Sequence, residues 1–236
     1  MTGGTGRSGP AGPPWLLTID TGTSRIIVAA GDPGGTLIRA IDGPAEHHHG
    51  ERLLPQLEEL IAGTGLDPDA IAGIGVGTGP GAFTGLRVGL ATAKTLAHAR
   101  GLPIVGIGTG EALIRAAASA GTPAERIVLL LPAGPHDRVE VRRGATARLL
   151  PGGVEPKLAP GEVLVAVDLE DRAPVDAIAR GDRALARLPA PFLALAAERL
   201  AAGPPDDPAA LVPEYVSLPR GVSAAGGEIE WSRDPR

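Results

Sequence analysis

Two short segments carry residue types that could do chemistry. Asp20-Thr21-Gly22-Thr23-Ser24 sets a carboxylate, three hydroxyls and a glycine between two apolar runs. In a strand–turn–strand unit, glycine and hydroxyl groups can wrap a phosphate while the aspartate approaches a metal or water. The same composition also makes an ordinary polar hairpin turn. The second segment, Gly77 to Gly89 (GTGPGAFTGLRVG), holds five glycines and one proline in thirteen residues, with Phe83 and Arg87 among them. It follows an apolar run, Ile71 to Val76, and leads into a helical pattern, Thr84 to Arg100. Strand, glycine turn and helix together place backbone N–H groups against an anion or against another backbone. The segment lacks the Gly-Lys-Ser/Thr ending of a Walker loop.

Other constellations are weaker. His47, His48 and His49 precede Glu51 and invite a metal hypothesis, but successive side chains point in different directions. A solvated loop and helix start, with Glu51 favourably placed in the first turn, explains them as well. No serine lies in a Gly-x-Ser-x-Gly elbow, and cysteine catalysis is excluded because the chain has no cysteine. Lys94 follows Arg87 by seven residues on roughly the same helical face, which gives an exposed basic stripe or a contact with an acidic partner.

The elements that must position these residues are readable from pattern. Trp15–Ile19, Arg25–Ala30 and Thr36–Ile41 read as three successive strands, an antiparallel meander. Leu53, Leu54, Leu57, Leu60 and Ile61 recur at helical spacing within 52–62. Asp67 before Pro68 reads as an N-cap and a short helix. A fourth strand, 71–76, the long helix 84–100, a fifth strand, 104–107, and a helix over 111–120 capped by Thr109 complete a βββαβαβα order. This order predicts an α/β fold with a mixed sheet and helices on its faces. Gly121-Thr122-Pro123 is a plausible boundary, giving lobes over 15–120 and 121–220 and tails over 1–14 and 221–236. Beyond it, strands are expected near 127–131, 137–142, 146–150 and 163–167, and a helix over 192–202.

The chain of 236 residues is 43% hydrophobic but only 2% aromatic, so its core must be built from Leu, Ile, Val and Ala. Its net charge of −5, with no basic run, argues against autonomous nucleic-acid binding through a charged patch. No apolar run reaches the ~20 residues of a membrane span. Without cysteine, disulfides and thiolate metal sites are excluded.

In order and spacing, four pieces resemble the TsaB (YeaZ) family: 17–24 (LTIDTGTS), 49–55 (HGERLLP), 79–89 (GPGAFTGLRVG) and 103–107 (PIVGI). Pro213-Glu214-Tyr215-Val216 is similar to the family's Pro-x-Tyr-Leu. The resemblance implies the actin-like ATPase (ASKHA, ribonuclease H-like) fold, with two lobes of mixed sheets and flanking helices, the second smaller and degenerate. It implies a cytoplasmic, non-catalytic scaffold that helps install threonylcarbamoyl on the adenosine next to the tRNA anticodon, paired with the TsaD paralogue and with the ATPase TsaE. Some members of the family were once labelled glycoproteases. The implied interface, to TsaD or to a second copy, is Glu51, Leu53, Leu54, Leu57, Leu60, Ile61, Phe83, Arg87, Leu90, Ala91 and Lys94.

The candidate nucleotide contacts are Asp20, Gly22, Thr23, Gly79 and Gly81. A working ATPase of this class also needs a Gly-Gly-x-x-x-Asn adenosine loop, and this chain has no asparagine. It offers His47 and Glu51 where TsaD has two histidines four apart. No metal and no tightly held cofactor are expected, ATP or ADP fitting only at the interface of a complex, and tRNA is met only through that complex. The region 131–141 departs from the family pattern. The competing readings are a nucleotide-dependent kinase or ATPase using Asp20 and Thr23, and a metallopeptidase using His47, His49 and Glu51. Without the partner motifs, the glycine segment is expected to serve mainly as a close-packing device, with phosphate contact secondary.

Overall fold

The computed structural model describes residues 12–45 and 48–216; the expectations for most of both tails, for Trp231 and for His47 lie outside them. The meander forms as β1 (Trp15–Asp20), β2 (Arg25–Gly31) and β3 (Leu37–Pro44), all antiparallel. β4 (Ile71–Gly79) adds parallel to β1, and β5 (Ile104–Gly108) parallel to β4, giving the order β3-β2-β1-β4-β5. β1 is buried on both faces, which is why it reads as an unbroken apolar run rather than an alternating one.

One face of this sheet is covered by α1 (His49–Thr64) and α2 (Phe83–Arg100), through Leu53, Leu57, Leu60, Leu90, Ala93 and Ala97. The other is covered by α3 (Thr109–Ala118) and α5 (Pro189–Ala202), through Leu113, Phe192 and Leu193 among others. A second sheet holds β6 (Ile127–Ala133), β7 (Asp137–Val141), β8 (Arg148–Leu150) and β9 (Val163–Ala166), in the order β8-β7-β6-β9. β6 and β7 are antiparallel, β6 and β9 parallel. This repeats the β3-β2-β1-β4 order of the first sheet with one strand fewer. It is the two-lobed actin-like plan with a reduced second lobe. A single apolar cluster, from Ile27 and Val105 through Leu113 to Leu129, Val165 and Phe192, joins the two sheets.

The structure corrects several boundaries. Gly77–Gly79 is strand, because pairing with β5 continues to Gly79 opposite Gly108. Thr109 is no cap: it is the buried first residue of α3, and Gly108 takes the cap position without a side-chain bond. The short element after Asp67 is a single 3-10 turn, Pro68–Ala70, with the Asp67 carboxylate accepting the Asp69 N–H at 2.9 Å. α1 starts earlier than expected, at His49.

α4 (Val175–Arg187) escaped the pattern reading. Its buried stripe, Ala177, Gly181, Ala184 and Leu185, is mostly small, and its amphipathic character comes from the exposed charged face of Asp176, Asp182, Arg183 and Arg187. Gly181 shows why the stripe is small: a Cβ there would meet the Ala166 carbonyl oxygen at 1.8 Å, backbone against backbone. Gly181→Ala is therefore expected to destabilise the fold by about 1–3 kcal/mol despite alanine's better helix propensity. Gly50→Ala in α1, where a Cβ meets nothing within 4 Å, should instead stabilise it by up to about 1 kcal/mol. Chemical denaturation of the two variants checks the contrast.

Candidate functional site

The turn after β1 and the glycine segment after β4 meet. They emerge from adjacent parallel strands at the same, C-terminal, sheet edge, where α/β sheets place their sites. The Ala82 N–H donates to the Gly22 carbonyl at 2.7 Å. A Cβ on Gly81 would lie 2.0 Å from that oxygen. One turn into α2, the Thr21 hydroxyl donates to the Gly85 carbonyl at 2.7 Å, and a Cβ on Gly85 would lie 2.0 Å from the Thr21 oxygen. A Cβ on Gly89 would lie 2.2 Å from Thr21 Oγ1. The glycines thus admit a second backbone, as a close-packing device does. Gly79 has φ of +108°, a conformation open to glycine.

Several donors of the turn are used within the chain. The Gly22 N–H donates to Asp20 Oδ1 at 2.6 Å, and the Arg25 N–H to Thr23 Oγ1 at 3.2 Å. The Ser24 N–H and hydroxyl donate to the two carboxylate oxygens of Asp168, at 2.6 and 2.5 Å. Asp168 follows β9 in the second lobe and carries a φ of +54°.

Asp20 is fully buried, and its Oδ2 finds no hydrogen-bond partner. The Thr109 hydroxyl beside it, also buried, finds none either. Gly77 makes room for both, since a Cβ there would fall 2.9 Å from the Asp20 carboxyl and 3.1 Å from Thr109 Oγ1. Burial pushes the Asp20 pKa up to about 6; the Gly22 N–H and the facing Thr109 hydroxyl draw it back in part, and the charge of Asp168 adds to the rise. Burial also raises Asp168, against the two bonds from Ser24 and with Glu170 and Asp182 adding to the rise.

Of the histidine run, His49 is buried, with Nε2 3.3 Å from the Thr23 carbonyl, and His48 Nδ1 lies 3.3 Å from Glu51. His49 and Glu51 therefore face different partners and share no ligand geometry. Among the described residues no group of three His, Cys, Asp or Glu side chains could hold a metal ion.

The expected interface residues divide sharply. Leu53, Leu57, Leu60 and Leu90 are buried against the first sheet and offer no direct contact surface, a correction to the expectation. A helix with one apolar stripe gives it to its own sheet first. Ile61 is half-buried against the same core, while Glu51, Leu54 and Ala91 are exposed. Arg87 and Lys94 are anchored by neutral groups of the chain's own C-terminal segment and of α2. Arg87 Nε donates to the Tyr215 hydroxyl at 2.9 Å, its guanidinium lies 3.8 Å from the Phe83 ring centre, and Lys94 Nζ donates to the Leu211 carbonyl at 2.8 Å. Phe83 and Tyr215 lie 5.0 Å apart, so the segment before residue 216 packs along the edge of α2. Sequence reasoning missed Thr109, misread as a cap, and Asp168, which lies in a stretch with no motif.

The raised Asp20 pKa has a consequence for stability. Between about pH 4 and 6 the native protein holds a proton that the unfolded chain, at an ordinary 3.8, has released. This favours folding at acid pH, and the advantage is lost as pH rises through 6; the difference is worth about 3 kcal/mol. Asp20→Asn keeps an acceptor for Gly22 and carries no charge. Its stability relative to wild type should be smallest near pH 4 and gain about 3 kcal/mol by pH 7. Denaturation midpoints across that range test this, and parallel profiles for the two proteins would mean that Asp20 titrates normally.

Residues 43–168, more than half of the chain, match the family model described as TsaD, tRNA N6-adenosine threonylcarbamoyltransferase. Two curated relatives, the tRNA threonylcarbamoyladenosine biosynthesis proteins TsaB of Haemophilus influenzae and Escherichia coli, are 36% and 34% identical over 102 and 94 residues. These matches cover 43% and 40% of this chain and span only 42% and 40% of the relatives' own length. The structure of YeaZ from Pseudomonas aeruginosa superposes with a TM-score of 0.63 at 25% identity, covering 86% of this chain and 99% of that one. Two lobes of the same strand order, the fused turn and glycine segment, and these matches together place the chain in the TsaD-like family, in its TsaB (YeaZ) branch.

Proposed function

We propose that the protein is a non-catalytic partner subunit in the formation of threonylcarbamoyladenosine on tRNA. Its partners in this reading are a TsaD-like transferase, with which it forms a heterodimer, and a TsaE-like ATPase. A homodimer is an alternative resting form. The names of the two bacterial relatives support the pathway. The observation that carries the non-catalytic role is the closed turn: Gly81 and Ala82 lie on the Gly22 carbonyl, and the Gly22 and Ser24 N–H groups that a phosphate would need are bonded to Asp20 and Asp168. The absence of asparagine supports it independently, since an Asn-dependent adenosine loop cannot be built. Nucleotide binding in this reading belongs to an assembled interface and not to the isolated chain, and tRNA is met through the complex. Among the described residues no helix is long and apolar enough to cross a membrane, which accords with a cytoplasmic place.

The surface for the partner is the exposed side of α1 and α2, where Glu51, Leu54 and Ala91 remain open; Leu54 is 56% exposed. Charged side chains placed there should block association by leaving an unpaired charge in the contact. Leu54→Asp and Ala91→Asp are expected to weaken binding to the TsaD-like transferase at least tenfold while leaving the melting temperature nearly unchanged. Titration calorimetry with the purified transferase and a thermal melt of each variant are the measurements. In a reconstituted reaction with transferase, ATPase, threonylcarbamoyl-adenylate and tRNA, leaving this protein out should abolish modification; undiminished modification would overturn the proposal.

A further inference from the structure

We propose that Asp168 is an internal anion that fills the turn 23–25 from the second lobe, latching the two lobes together and keeping outside phosphate out. The latch goes beyond the partner role and does not depend on it.

The geometry is that of a carboxylate in an oxyanion site. Both oxygens of Asp168 are engaged, one by the Ser24 N–H at 2.6 Å and one by the Ser24 hydroxyl at 2.5 Å, across 144 positions of sequence. A backbone N–H and an adjacent hydroxyl presented together are the donors that a phosphate group takes. Three features show that Asp168 is held in this place by its surroundings. Its backbone sits at φ +54°, and Asp171, three residues on, at +60°, a region that costs a non-glycine residue free energy unless the structure imposes it. Arg172 fixes the loop: its guanidinium donates to the Asp168 carbonyl at 3.3 Å and to the Gly134 and Pro135 carbonyls at 2.9 and 3.2 Å, tying the β9–α4 loop to the β6–β7 turn. The carboxyl is pressed into the turn although Glu170 and Asp182 beside it, and Asp20 across the turn, are acidic. Against that repulsion the Ser24 donors are what the structure gives it in return.

The quasi-repeat of strand order explains how it gets there. In the first lobe, the segment that follows the fourth strand, β4, lays Gly81 and Ala82 on Gly22. In the second lobe, the segment that follows the corresponding strand, β9, lays Asp168 on Ser24. The two loops meet the same turn at different residues, one with backbone at Gly22 and one with charge at Ser24.

Asp168→Gly removes the carboxylate and suits the positive φ, so the fold should survive. Asp168→Asn keeps the shape, tolerates the same φ, removes the charge and leaves one acceptor oxygen for the two Ser24 donors. The probe is inorganic pyrophosphate, followed by calorimetry and by the Ser24 amide resonance, with hydrogen exchange at the same amide. Wild type is expected to show no Ser24 shift at millimolar pyrophosphate. Asp168→Gly should bind at least tenfold more tightly than wild type, with the shift centred on residues 22–25, and its Ser24 amide should exchange at least tenfold faster without ligand. Asp168→Asn should move in the same direction by less, and it decides the matter if the glycine variant does not fold. An unchanged Ser24 exchange rate in either folded variant, unchanged pyrophosphate affinity, or a response centred away from the turn would each overturn the latch.

Discussion

The contact on which the rest of this structure depends is backbone against backbone: the turn after β1 pressed onto the glycine segment after β4. Strands β1 and β4 are parallel neighbours, so their C-terminal turns must emerge side by side, about the ~5 Å of one strand spacing apart. Beyond the strand ends the two turns approach more closely than paired strands do, and there only glycine lets both chains pass. Gly81, Gly85 and Gly89 face Gly22 and Thr21 in succession, and the hydroxyl of Thr21 is bonded to the Gly85 carbonyl in the first turn of α2. The start of α2 is thereby fixed by two bonds, Ala82 to Gly22 and Thr21 to Gly85, in place of any side-chain cap. The direction of α2, and with it that of α1 packed beside it, follows from this junction.

The same junction creates the electrostatic tension in the molecule. Closing the turn encloses Asp20 with no cation, leaving one carboxyl oxygen and the neighbouring Thr109 hydroxyl without partners. Burial in that position disfavours the ionised form of Asp20, which is why its pKa rises. Asp168 adds a second acid at the other end of the turn. Two acids flanking a glycine–hydroxyl turn would suit a site that handles a solvated cation or phosphate. In this chain the space such a ligand would need is taken by Gly81 and by the Asp168 carboxylate itself. Asp20 Oδ2 and the Thr109 hydroxyl are left as buried polar side-chain atoms without a partner beside the turn.

Local signals carried much of the fold, and they failed where distance in sequence decided the outcome. The meander, the Asp67 cap and the end of α2 at Gly101, whose φ is +64°, are written in neighbouring residues. The apolar stripe of α1 was equally legible, but periodicity reports only that a stripe will be covered, and the chain's own sheet covers Leu53, Leu57 and Leu60 before any partner can. α4 was passed over because close approach to β9 puts Gly181 and alanines on its buried stripe, so that its amphipathic pattern is carried by charged residues and not by leucines. Within the candidate site, Asp20, Gly22 and Gly81 could be named from composition alone. Asp168 could not, since nothing around it distinguishes it from the acids at 170 and 171, and only the second lobe's return to the turn gives it a role.

The C-terminal segment finishes what the turn begins. The Gly106 N–H donates to the Asp206 carboxylate, and the Asp206 N–H to the Ile104 carbonyl; further on, the Glu214 N–H reaches the Thr78 carbonyl at the end of β4. Between them Lys94 holds the Leu211 carbonyl, and Tyr215 closes on Phe83 and Arg87. The edge strand β5 and the outer edge of α2 are therefore lined by the chain itself, which covers a strand edge and anchors Arg87 and Lys94. Covering that side leaves α1, with Glu51 and Leu54, and the outward position Ala91 on α2 as the open part of the helical layer. A partner that docks on this layer would meet a surface whose backing leucines are locked into the sheet and whose orientation is set by the glycine junction, so its contact would be tied to the turn without touching the turn's buried groups.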